Sequence, residues 1–230
     1  MLEQAKSNGA LAHALQLSRP ENWRGSGLTP EQILPLAVED GIPVAWVPST
    51  NVLQELVVAP KNRRLELLLS HRDTVFDQCR TLVRQCSDAW IKDQRALVDR
   101  ALDAFAEEHH EAAMALAVAV GEPLAVWASE PRVRVFDSKA DMDGWEKKRR
   151  GKYCLAKAEL AAVAPTAKLR RFEVLRHALI GPIPKFFTPF HGEPGELIPD
   201  TVSRHATVHK PTVAHFSVEN ALLTITEFPT

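Results

Sequence analysis

The chain has 230 residues, 45% hydrophobic and 25% charged, with 28 Lys plus Arg against 29 Asp plus Glu for a formal net charge of -1. That balance excludes a histone-like or ribosomal-type binder, so any nucleic-acid contact must come from a local patch. Ten glycines and 7% aromatics argue against a β-sandwich or barrel, and the Ala- and Leu-rich middle argues for helices.

Residues 2–17 read as a short amphipathic helix carrying Leu2, Ala5, Leu11, Leu15 and Leu17, ended by a polar turn over 18–27. Thr29 caps a helix opened by Pro30, and Gln32 three positions on completes a capping box. That helix carries Ile33, Leu34, Leu36 and Ala37, is kinked by Pro35, and stops near Gly41. Residues 42–48 are extended because their prolines push the preceding residues out of the α region, and they read as a buried linker.

Ser49 or Thr50 starts the next helix, with Val52, Leu53, Leu56 and Val57, and Pro60 interrupts it. From Lys61 to Cys86 the positions Leu65, Leu68, Leu69, Val75, Phe76, Cys79, Leu82 and Val83 recur near the 3.6-residue period. After a kink or a restart at Ser87-Asp88, one long helix is expected from Trp90 to about Val120, closed by Gly121 and Pro123. Residues 129–145 form the best candidate loop, with a short edge strand in the alternation Arg132-Val133-Arg134-Val135-Phe136. Helices follow over 145–164 and from a Thr166 cap to Ile180. The proline-rich stretch 181–195 is an irregular connection. The segment 198–209, a turn over 210–214 and a short helix capped by Ser217 end the chain.

The expected fold class is therefore all-α, a multi-helix bundle of about seven to nine helices. It divides into an N-terminal region over 1–127 for support or partner docking and a C-terminal region over 145–230, or forms one continuous domain. The longest apolar run, 112–120, is shorter than the roughly 18–20 residues of a membrane helix. Residues 1–6 lack the basic start and apolar stretch of a secretory signal. Three cysteines, Cys79, Cys86 and Cys154, form no CxxC pair and fit buried thiols in a reducing compartment. A cytoplasmic location is expected.

Several chemistries fall away. There is no Gly-x-Ser-x-Gly elbow and no Gly-rich phosphate loop. Cys79 and Cys86 lie on an apolar helical stripe, which reads as core packing. His109 and His110 stand among Glu107, Glu108 and Glu111. Glu107 and His110 have the i, i+3 spacing of carboxylate-bridged metal helices, but a second Glu-x-x-His copy is missing. A solvated helix face is the reading, and neither a metal nor a cofactor is expected. The run Lys147, Lys148, Arg149, Arg150 and Lys152, bracketed by Trp145 and Tyr153, is the densest positive charge. It suits an RNA backbone, with the aromatics stacking on bases. Its alternative is an exposed helix start with an ordinary charged face.

The C-terminal stretch Arg204-His205-Ala206-Thr207-Val208-His209 is the most informative. On a helix His205 and His209 share a face, and the long Arg204 stem reaches toward the same pocket. A neutral imidazole can take the proton of a ribose 2′-OH, while a guanidinium fork binds the phosphate and its developing charge. This stretch resembles the HEPN superfamily of helical nucleotide-binding and ribonuclease domains, whose motif is Arg, a gap of four to six residues, then His. The tighter form of that motif has Asn, Asp or His after the Arg, as His205 is here, near the chain end and before a last apolar helix.

The resemblance covers residues 197–227. It departs from the family in Lys210-Pro211, which stand where a small turn is expected, and in the shortness of the final helix. It implies that Arg204 and His209 are catalytic, with His205 a polar support. It also implies a metal-independent endoribonuclease, usually a homodimer whose two motifs form one cleft, often in toxin–antitoxin or phage-defence systems with an antitoxin or regulatory partner. The alternative from another class is a non-catalytic helical interaction or scaffold protein that binds a protein partner or nucleotide. A metal-dependent oxidase around His110 lacks ligands.

Overall fold

Helix α1, Pro30–Val38, begins as the sequence dictates: the Gln32 side-chain oxygen accepts the Thr29 backbone N–H at 2.9 Å, the return half of a capping box. It ends where Gly41, at φ +72°, turns the chain back. The Ile42 N–H then reaches the Leu36 carbonyl at 2.9 Å and the Gly41 N–H that of Ala37 at 3.2 Å, satisfying carbonyls at the helix end. Residues 42–48 are the buried linker expected of them but are not extended throughout, since Trp46 stands at φ +62°, and a buried irregular chain must find partners for its backbone. Asn22 and Trp23 supply them. Asn22 Nδ2 donates to the carbonyls of Val44 (2.9 Å) and Pro48 (2.8 Å), its Oδ1 accepts the Trp46 N–H (3.0 Å), and Trp23 Nε1 donates to Val44 (2.7 Å).

The computed structural model describes residues 20–85, 89–128 and 171–226. Among the described residues eight further α-helices follow α1: α2 Thr50–Val58, α3 Arg64–Ser70, α4 Arg72–Gln85, α5 Ala89–Ala106, α6 His110–Ala128, α7 Arg171–Ile180, α8 Ile183–Phe186 and α9 Val218–Thr226. Short 3-10 turns lie at Glu21–Trp23, Lys61–Arg63 and Val213–His215. The protein is an all-α bundle, with no strand among the described residues. No helix among them is long and apolar enough to cross a membrane.

Three sequence expectations need correction. The periodic run from Lys61 to Cys86 is not one helix: the chain steps out of α geometry at His71 (φ -103°, ψ 12°), dividing α3 from α4. Leu68 and Val75 are buried on either side, so the apolar rhythm passes through the step and hides it. The long helix from Trp90 is likewise two. Its chain reverses at 107–109, with Glu108 at φ +62° and the His109 N–H on the Ala104 carbonyl at 2.8 Å. Folding back lays α5 on α6, so that Leu102 and Phe105 enter one core with Ala113, Met114 and Ala117. Nor do Gly121 and Pro123 close α6, which runs on to Ala128. Proline removes one backbone donor, and a helix otherwise supported by packing can absorb that loss.

The hydrophobic core spans Trp23 to Ile225. α7 packs on α1, and α9 packs against α3, α4, α5 and α6, so elements from both ends of the described chain share it. α9 is buried from Asn220 to Thr226. Its hydroxyls are satisfied internally, Thr224 donating to the Asn220 carbonyl (2.6 Å) and Thr226 to that of Leu222 (2.9 Å). Cys79 is fully buried in this core, where burial pushes its thiol far up, as the packing reading required. The expected helix over 2–17, the loop and strand over 129–145, the helix over 145–164 and the start at Thr166 lie outside the described residues, as do Cys86 and Cys154.

Candidate functional site

The loop over 187–202 delivers the chain to Ser203, which is fully buried. From there residues His205–His209 wind one π turn, closed by the Lys210 N–H on the His205 carbonyl at 2.8 Å. The wide i→i+5 closure is a form often met at functional positions. It replaces the regular α-helix expected for this motif. His205 and His209 nevertheless stay neighbours, with ring centroids 5.5 Å apart and planes tilted by 50°. Arg204 stands directly N-terminal to the turn, in α geometry. Ala206 and Thr207 point into the protein and are buried, whereas His209 and Lys210 are exposed and Arg204 and His205 are half-buried. The turn packs against α6.

Burial holds the His205 imidazole below the ordinary histidine pKa, and the nearby His209 and Arg204 act in the same direction. The Thr188 backbone opposes them by favouring the protonated ring. The half-buried His205 and the exposed His209 thus stand in different environments on one turn.

The residue that sequence reasoning left without a role is His215. It is fully buried, and its ring is bonded at both nitrogens. Nε2 accepts the Ser203 N–H at 3.2 Å, which leaves the Nδ1 proton to face the Pro199 carbonyl at 3.3 Å. Only the neutral Nδ1–H tautomer satisfies both contacts. Burial accordingly keeps the pKa of His215 low. Around it, the Ser203 hydroxyl donates to the Thr188 carbonyl (2.7 Å), Thr207 Oγ1 donates to the Ser203 carbonyl (2.8 Å), and Asn220 Nδ2 donates to the His215 carbonyl (3.0 Å). His215 thus ties the Arg204–His209 turn to α9. Its neighbours Ala214 and Phe216 give no periodic pattern that would mark it as buried.

Other candidates do not assemble. Glu107 lies in the reversal before α6 and His110 opens that helix, so the i, i+3 face expected on one long helix is not formed. The His110 ring instead packs by Phe105, with centroids 5.6 Å apart. Among the described residues no group of three or more His, Cys, Asp or Glu side chains stands close enough to hold a metal ion. The basic run Lys147, Lys148, Arg149, Arg150 and Lys152 lies outside the described residues. Compared with models of known protein families, with curated proteins and with solved structures, the chain finds no match in any of the three.

Proposed function

We propose that the chain is a metal-independent endoribonuclease of HEPN type. The observation that carries this reading is the surface placement of the motif. Arg204, His205 and His209 gather on one turn whose second imidazole is open to solvent, rather than being consumed in the core. In this reading the Arg204 guanidinium clamps the scissile phosphate and offsets the charge that grows on it. His209 takes the proton of the 2′-OH, and His205 orients its neighbour. The 2′ oxygen attacks phosphorus, the bond to the 5′ oxygen breaks, His209 as the acid–base group returns a proton to that oxygen, and the products are a 2′,3′-cyclic phosphate and a 5′-hydroxyl. The basic run over 147–152 holds the RNA backbone, and two protomers pair so that their motifs share a cleft, in a defence or toxin setting with a regulatory partner.

The test is incubation of the purified protein with mixed tRNA and single-stranded RNA in EDTA, beside Arg204→Ala and His209→Ala. Cleavage by the wild type and a loss of about 100-fold or more in each variant is the expected result, the scale set by removal of a general base or a charge-stabilising donor. His209→Ala cleaving at the wild-type rate would falsify the mechanism.

One observation favours the second reading, a non-catalytic interaction protein. Leu197 and Val213 are 90% and 84% exposed, and Val208 on the motif turn is half-exposed. The Pro199–His215 contact draws together the stretches that carry Leu197 and Val213. Exposed aliphatics beside a charged turn are suited to contact with a protein. Uncut RNA from a normally folded protein favours this reading over the first.

A further inference from the structure

The motif turn hangs on Ser203, which is fully buried at its root. The Ser203 carbonyl accepts the Thr207 N–H at 3.0 Å and Thr207 Oγ1 at 2.8 Å, and its hydroxyl reaches back to the Thr188 carbonyl at 2.7 Å. Its own N–H donates to His215 Nε2 at 3.2 Å. The other side of that contact is fixed. The His215 carbonyl accepts Asn220 Nδ2 at 3.0 Å, from a helix buried over Asn220 to Thr226, and the His215 N–H closes on the Thr212 carbonyl at 2.9 Å. One imidazole nitrogen therefore joins the turn to α9.

That junction holds only while the ring is neutral. A proton on Nε2 sets two donors against each other in a site closed to water, and an unpaired buried charge is strongly disfavoured. The Pro199 carbonyl, 3.3 Å from Nδ1, faces a donor in either state and binds a charged ring more strongly. The contact that fails is the one to Ser203. Val202 stays anchored in the core, so the hinge is the Val202–Ser203 peptide. Beyond it the buried side chains of the turn, Ala206 and Thr207, are small, and residues 208–210 are already exposed.

The charges around the ring leave this logic intact. From the loop the ring meets Pro199, whose neighbour Asp200 is exposed; from the turn it meets Ser203, whose neighbour Arg204 is half-buried. From α9 the residue meets Asn220, whose neighbour Glu219 is half-buried, and the remaining ring contact is Phe216, with centroids 6.3 Å apart. Burial is the largest influence on the ring, and none of these charges bears on it.

We propose that His215 is an acid-operated latch: protonation of its ring breaks the Ser203 contact and frees residues 203–210 while the helical bundle stays folded. His215 itself, tied to Thr212 and Asn220, remains with α9. The latch concerns where the turn sits and stands apart from the ribonuclease reading.

The test is amide hydrogen exchange of the full chain, read by NMR between pH 5 and 7.5 and corrected for the intrinsic pH dependence of exchange. If only the open form takes the proton, near the ordinary histidine value, exchange at Ser203 and Thr207 should be about 30-fold faster at pH 5 than at pH 7.5. A local opening exposes little surface, so these rates should not respond to urea below the unfolding transition, whereas those of the buried Cys79 and Val83 on α4 should. His215→Gln should bring the ratio near 1. His205→Gln and His209→Gln, which remove the imidazoles of the turn itself, should keep it. Where His215→Gln does not fold, the wild-type ring decides: its Cε1 proton must titrate together with the loss of the Ser203 amide signal. A wild-type ratio near 1, its survival in His215→Gln or its loss in either turn variant overturns the latch. So does a urea response at Ser203 equal to that of α4, since the bundle would then be opening as a whole.

Discussion

A buried neutral imidazole makes stability depend on pH with a definite sign. His215 is held neutral in the folded chain, because Nε2 must accept from Ser203, whereas in the unfolded chain it titrates near the ordinary value of about 6.5. Below that value the unfolded state binds a proton that the folded state refuses. Its contribution is therefore fully present above about pH 6.5 and is lost as pH falls toward the depressed folded pKa, at up to about 1.4 kcal/mol per unit. His205 shifts in the same direction, but it is too exposed to add much. Urea titrations between pH 5 and 8 should show this slope, and His215→Gln should flatten it while lowering stability at pH 8 by about 2–4 kcal/mol through the buried Ser203 N–H and the lost packing. An unchanged slope in that variant would assign the pH dependence to other groups. Nothing in the sequence around His215 announces this. A histidine among Val213, Ala214 and Phe216 has the same local pattern whether its ring is bonded or bathed in solvent, and the contacts that decide it come from twelve and sixteen residues away.

The helix boundaries show what local chemistry carries and what it does not. Thr29 with Gln32, Pro60 and Ser217 act within three or four residues, so the starts and breaks they cause are legible in the amino-acid order alone. The reversal at 107–109 is not, since Glu and His are tolerated inside helices and only the docking of α5 on α6 demands the turn. It requires a left-handed residue, and Glu108 fills that place at φ +62°. Glu108→Gly should relieve strain there and, net of the flexibility glycine adds to the unfolded chain, raise stability by about 0.5–1 kcal/mol. A lower thermal midpoint would mean that the glutamate side chain makes a contribution larger than the strain. Gly181 presents the opposite case. A Cβ there would stand 2.7 Å from the His177 carbonyl and 3.0 Å from the Ala37 Cβ. Close approach of α7 to α1 thus depends on the missing side chain. Gly181→Ala should cost about 1–3 kcal/mol by overpacking, and adding Ala37→Gly should recover only part of it, because the carbonyl clash remains.

At the scale of the whole molecule, the site and the core meet in α9. This helix is legible in the sequence as a short apolar end, but its central position is not, because nine residues carry no record of how many partners they will touch. In the fold it is surrounded by α3, α4, α5 and α6, while Asn220 in its first turns grips the His215 carbonyl and through His215 the motif turn. Leu222 is fully buried in this arrangement. Leu222→Ala should cost about 2–5 kcal/mol, the range for removing a large aliphatic side chain from a packed core. Its spread across the molecule is the sharper expectation. If α9 joins core and site into one cooperative unit, amide hydrogen exchange at α4, α5, α6 and the Ser203–His215 segment should accelerate together, by the same free energy at each most protected amide. Acceleration confined to α9 and the motif turn, with α4 to α6 still protected as in the wild type, would mean that the turn opens independently of the bundle. The motif turn would then follow a local equilibrium that global unfolding measurements miss.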